Sequence, residues 1–190
     1  MTQTTIRAFF AISLSTEILD AIALVVDSLK QTMPQQKIRW TKLENLHITL
    51  RFLQSIQIGD LPKLIEQVEL NLLNVSSFRL KLGELELFPK PKHPRLIALQ
   101  AGPNEQLAPI SYGLAKIIDT LNYPTEKRTF RGHITLGRLQ NYQSPIILPP
   151  IKNDYFPKQL VQSVNLFESR LVEGQRQYNL IKQFRLKGSE

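Results

Sequence analysis

The chain has 190 residues, 42% of them apolar and 21% charged, the make-up of a globular protein long enough to bury a core. It has no cysteine, which excludes disulfides and thiolate metal sites, and no apolar run near the roughly 20 residues that span a bilayer. Its 24 Lys and Arg against 16 Asp and Glu give a net charge of +8, which favours polyanions, nucleic acid first among them.

The chain opens with Ile6 to Ile12, "IRAFFAI", an aromatic and β-branched run that predicts a buried strand. No basic segment precedes this patch and acids come after it, which argues against a secretory leader and for a cytoplasmic protein. Ser15 is placed to cap a helix whose apolar residues Ile18, Leu19, Ile22, Val25, Val26 and Leu29 recur at helical spacing, with Pro34 closing it. "IRW" and "HITLRFL" predict two short strands, and Asp60 with Pro62 opens a second helix running to about Asn74. Alternating Phe78, Leu80, Leu82, Leu85 and Leu87 predict a strand bent at Gly83, and "RLIALQA" predicts another. Asn104 to Asn122 has a helical pattern with Pro109 inside it, and "GHITLGR" returns to a strand. "YQSPIILPPIKN" reads as an ordered proline-rich loop. "LVQSVNLFESRLV", a turn at "EG" and "QYNLIKQFRL" form a closing hairpin. Helices mixed with hairpins and crossovers define an α+β fold.

One phrase is written twice: "HITLRFLQ" at His47 to Gln54 and "HITLGRLQ" at His133 to Gln140, in a chain with three histidines. One copy in each half predicts two pseudo-symmetric lobes about a central cleft. No Pro/Gly/Ser linker divides them, so residues 1–190 read as a single domain of two lobes. The windows Lys37 to Arg51 and Glu126 to Arg138 hold eight of the 24 basic residues and only two acids, so the basic charge gathers around both copies.

Residues i and i+2 of a strand share a face. His47 therefore lies beside Thr49, and His133 beside Thr135, with Ile48, Leu50, Ile134 and Leu136 turned to the core. Two imidazoles across a cleft can exchange protons near neutral pH, and two hydroxyls can donate to non-bridging phosphate oxygens. Arg51, four residues after His47, would share its face. Arg138 is off parity with His133 unless a bulge at Gly137 re-aims it. This equipment suits phosphodiester cleavage without a metal. A zinc site wants three or four ligands, while only two histidines converge, and His93 in "KPKHPR" reads as a loop residue. A duplicated strand without chemistry is the remaining alternative.

On these residues the chain resembles the 2H phosphoesterases, and within them the RNA 2′,3′-cyclic phosphodiesterases also known as 2′–5′ RNA ligases. The likeness spans nearly the whole chain, through "IRAFFAISL", "IRWTKLENLHITLRFL", "PRLIAL", "FRGHITLGR" and "SRLVEGQRQYNLIKQFRL". It implies a bilobal α+β fold, with His47 as proton donor, His133 as proton acceptor, and Thr49, Thr135 and Arg138 on the phosphate. The implied reaction opens an RNA-terminal 2′,3′-cyclic phosphate to a 2′-phosphomonoester with neither metal nor nucleotide cofactor. RNA ends, tRNA fragments among them, are the implied partners; no membrane or obligate protein partner is indicated. Two departures stand out: Gly132 replaces the family's usual proline before the second histidine, and Gln54 replaces a common glycine. A glycine at 132 predicts a looser approach to His133. Phe130 is open to two readings, a base-stacking ring or a core aromatic. Ligation through a 2′–5′ linkage, hydrolysis of a small cyclic phosphodiester, and RNA binding without turnover remain alternatives.

Overall fold

The computed structural model describes residues 5–140, 146–152 and 155–188. Among them the elements run β1 (Thr5–Ser13), α1 (Thr16–Thr32), β2 (Ile38–Trp40), β3 (His47–Gln57), α2 (Leu61–Leu72) and β4 (Phe78–Phe88). They continue as β5 (Leu96–Gly102), α3 (Asn104–Thr120), β6 (His133–Leu139), β7 (Gln159–Val161), β8 (Ser163–Val172) and β9 (Gln175–Arg185). The expected α+β order is present, with one extra strand.

Local signals explain most boundaries. Ser15 Oγ accepts the Ile18 amide at 3.4 Å and starts α1, which buries Ile18, Ile22, Val26 and Leu29 on one face. Asp60 precedes α2 without capping it, because its carboxylate instead accepts the Tyr123 hydroxyl. The α3 helix keeps Pro109 inside and stops at Thr120, two residues before its apolar pattern does. Just beyond, Asn122 takes φ of 62°, a left-handed value that Asn tolerates. Gly83 lies in an irregularity of the β4–β5 ladder, as its place among the alternating leucines predicts. In the proline-rich loop, residues 142–145 and 153 lie outside the described residues. Over 146–152 the chain is in no regular element, and Ile146, Leu148 and Ile151 pack on or near the core.

The sheet is antiparallel along the path β7-β4-β5-β6-β3-β1-β8-β9, with β2 pairing β6 beside it. Gln162 alone separates β7 from β8, yet they stand at the first and seventh places of that path. The sheet therefore curls until its ends approach, and Leu186 N–H donating to Gln162 O at 2.9 Å holds the junction. The sequence pattern joins 160–172 into one strand; the curl divides it, β7 going to β4 and β8 to β1.

The two lobes are related units. β1–α1–β3 and β5–α3–β6 are each a strand, a helix and an antiparallel return strand that begins at a motif histidine. They meet where Ile48 pairs with Ile134. Both isoleucines, with Leu50 and Leu136, are at most 2% exposed, in the same core as Leu107, Ile110 and Leu114 of α3.

Candidate active site

Ile48 opposite Ile134 fixes the centre of the site. Antiparallel continuation from this pair sets His47 beside Thr135 and Thr49 beside His133, all four on the face opposite the two isoleucines. The four side chains surround the local twofold axis and line a cleft of about 500 Å³ between the lobes. The sequence reading of both His-x-Thr faces agrees with this placement.

Each imidazole is held in the same way. His47 Nδ1 lies 2.8 Å from Asn45 O, and His133 Nδ1 lies 2.8 Å from Arg131 O. A carbonyl only accepts, so Nδ1 carries the proton in both rings and Nε2 is left as the working nitrogen. Nε2 of His47 is 2.9 Å from Thr49 Oγ1, which donates to it when the ring is neutral. The surroundings differ. His47 packs on Phe9, with centroids 4.8 Å apart, and meets Tyr178 edge-on at 5.4 Å. His133 stacks on Phe88 at 4.2 Å. The Arg131 guanidinium lies 5.0 Å from the Phe88 centroid and is bonded to Glu86 at 2.5 Å. Burial lowers the His47 pKa from the ordinary 6.5 to about 4; the bond to Asn45 O opposes this and repulsion from His133 adds to it. His47 is therefore neutral at pH 7 in the ligand-free protein.

A bulge in each copy decides where the arginines point. Leu50 is the extra residue in the β1–β3 register and Leu136 the extra residue in the β5–β6 register. Each bulge reverses strand parity for the residues beyond it. Arg138 is thereby turned to the cleft, as a bulge in this phrase predicts, although the extra residue is Leu136 rather than Gly137. Arg51 is turned the other way, which corrects the expectation that it shares the His47 face. It is 5% exposed and donates from Nε to Ser111 O at 3.1 Å and from Nη1 to Glu126 O at 2.9 Å, although it still contributes to the cleft lining. Its counterpart in the repeat is Gly137, where a Cβ would meet Ile38 Cγ2 at 2.6 Å because β2 crosses there.

Gly132 also departs from expectation. A Cβ at this position would come 2.3 Å from Ala101 O, and Ala101 N donates to Gly132 O at 3.0 Å. The approach to His133 is therefore close-packed, not loose. Phe130 is 8% exposed and belongs to the core, although its edge lines the cleft. His93 sits exposed in the turn before β5, away from the cleft, and Gln54 is exposed on β3. No group of three or more His, Cys, Asp or Glu gathers among the described residues.

Sequence reasoning missed the aromatic walls. Tyr178, Phe88 and Phe9 arrive from β9, β4 and β1, and only the folded sheet brings them to the histidines. Phe52 was findable: it holds the place of Arg138 in the repeat, and it is 53% exposed at the cleft.

A curled antiparallel sheet thus carries two His-x-Thr strands about a local twofold axis. Residues 12–98, a little under half of the chain, match the family model for LigT-like phosphoesterases. An RNA 2′,3′-cyclic phosphodiesterase of Methanothermobacter thermautotrophicus is 24% identical over 185 residues, covering 95% of this chain and 99% of the relative. The TT0787 structure of Thermus thermophilus matches with a TM-score of 0.80 at 23% identity, over 97% of this chain and 100% of that one. The complex of E. coli LigT with 3′-AMP also gives 0.80, at 22% identity over 97% and 99% of the two chains.

Proposed function

We propose that this protein hydrolyses the 2′,3′-cyclic phosphate at RNA ends to a 2′-phosphomonoester. The observation that carries this reading is the pair of imidazoles, each with Nδ1 tied to a carbonyl and Nε2 left for chemistry, set about one axis beside two threonines. The names of the relatives support the substrate class. The cyclic phosphodiester sits among the four side chains, with Thr49, Thr135 and Arg138 donating to its non-bridging oxygens. His133 Nε2 takes a proton from water. The hydroxide attacks phosphorus opposite O3′, the P–O3′ bond breaks, and His47 Nε2–H gives O3′ its proton. The products are a 2′-phosphomonoester and a free 3′-hydroxyl. The two imidazoles supply every proton transfer in these steps.

The neutral state of free His47 sets a condition on this scheme. The proton must arrive with the substrate, whose anionic phosphate favours the imidazolium that burial alone disfavours. Thr49 Oγ1 is then released from Nε2 and donates to a phosphate oxygen. The same neutrality favours a second reading, in which His47 is the base and His133 the acid. Ligation takes the same steps with an RNA 5′-hydroxyl in place of water: its oxygen bonds to phosphorus as the P–O3′ bond breaks, leaving a 2′–5′ linkage and a free 3′-hydroxyl. We take the chain as one working unit of two lobes acting in the cytoplasm, with tRNA fragments among its RNA ends. No helix among the described residues is long and apolar enough to cross a membrane.

A short RNA ending in a 2′,3′-cyclic phosphate, incubated in excess EDTA, tests the proposal. Wild type should yield the 2′-phosphate, while His47→Ala and His133→Ala should each lose on the order of 10² to 10⁴ in rate. Salt-sensitive binding without conversion would instead indicate an RNA-binding module. Turnover of small cyclic phosphodiesters only would indicate a different substrate class.

A further inference from the structure

The fold treats the eight basic residues around the repeated phrase unequally. Arg51 is buried, Arg131 is paired with Glu86, Arg128 with Glu126, and Lys42 with Glu44 at 3.9 Å. Arg39 and Arg138 have no acid at ion-pair distance among the described residues, yet β2 and β6 pair with Arg39 directly opposite Arg138. Opposed residues of an antiparallel pair hold their Cβ atoms about 4.5–5.5 Å apart on one face, where like charges repel. That face is the cleft face, since Arg138 lines the cleft while Trp40 and Ile38 crowd Gly137 on the other side of the same ladder. Both arginines are exposed. Two guanidinium forks set against each other with no counter-charge are arranged for an anion.

Position along the strand identifies which anion. With the Leu136 bulge discounted, Arg138 stands about 7 Å beyond Thr135, two residue steps of β6. This is comparable to the separation of successive phosphates on an RNA strand. Arg39 is one strand farther out and does not line the catalytic part of the cleft.

We propose that Arg39 and Arg138 form a second phosphate site, which takes the phosphodiester one nucleotide upstream of the cyclic end. Arg138 serves both phosphates, and Arg39 serves the upstream one. The preferred substrate is then a strand rather than a free nucleotide. This rests on the hydrolytic reading above.

The test compares kcat/KM for a dinucleotide ending in a 2′,3′-cyclic phosphate with that for a nucleoside 2′,3′-cyclic phosphate, across a range of salt. Wild type should prefer the dinucleotide. Arg39→Gln should cut that preference about tenfold, the effect of one charged hydrogen-bonding contact. It should also flatten the salt dependence on the dinucleotide by about one charge, and Arg39→Lys should keep most of that dependence. An unchanged preference in Arg39→Gln would overturn the second site and leave hydrolysis standing. Equal loss on both substrates would also overturn it, by assigning Arg39 to the reacting phosphate. Wild-type inactivity on both substrates would defeat the hydrolytic reading itself.

Discussion

An imidazole packed between Phe9 and Tyr178 has lost much of the water that would solvate its cation, and this sets how His47 responds to acid. The unfolded chain binds a proton there near pH 6.5, whereas the folded, ligand-free chain refuses it until about 4. Between those values the unfolded state holds more protons, so stability falls as pH falls, by at most about 3 kcal/mol once pH reaches 4. Thermal melts should show this loss in wild type and a smaller one in His47→Gln; identical pH dependence would mean that His47 is not desolvated. NMR titration should place the ligand-free His47 ring near pH 4 and move it upward when inorganic phosphate is added. Thr49 Oγ1 is bonded to the His47 ring and, in the proposed mechanism, donates to the phosphate. Thr49→Val should lower kcat on the order of 10², in line with loss of one preorganised donor, while Thr49→Ser should keep most of the rate.

The paired bulges show what a strand pattern reveals and where it stops. Period-two alternation placed His47, Thr49, His133 and Thr135 correctly, because all four precede Leu50 and Leu136. Arg51 lies just past the bulge, so the same alternation sent it to the wrong face. Nothing in "HITLRFLQ" marks the extra residue, whereas the glycine of "HITLGRLQ" hinted at one. Arg51→Met should therefore act on stability, costing about 1.5–3 kcal/mol for its bonds to Ser111 O and Glu126 O, as chemical denaturation would show. A normal denaturation midpoint with weakened substrate binding would return Arg51 to the cleft. The strand entry at Gly132 is similarly exacting. Gly132→Ala should destabilise by about 1–3 kcal/mol and slow turnover, since the Cβ strikes a backbone oxygen. Gly59→Ala, with nothing within 4 Å of its Cβ, is the matched control and should change little.

Across the whole molecule, the repeat revealed the twofold arrangement because each lobe carries its own copy. The curl of the sheet was hidden, since the pattern from Leu160 to Val172 looks like one strand and only distant partners divide it at Gln162. Long-range pairing hid the aromatic walls for the same reason. The net charge of +8 is a property of the whole chain and should steer RNA to the cleft. A logarithmic plot of kcat/KM on RNA against salt should fall with a slope near −1.4 for two phosphates, roughly 0.7 for each on a single strand; a flat plot would deny the electrostatic contribution. The division of proton transfer between the two histidines is the centre of the proposed mechanism, and one substrate tests it directly. With sulphur in place of the bridging O3′ of the cyclic phosphate, the leaving group needs no proton. His47→Ala should then cleave the sulphur substrate nearly as fast as wild type, while His133→Ala should stay slow on both substrates. Rescue of His133→Ala in place of His47→Ala would reverse the roles, and rescue of neither would contradict a proton donor at O3′.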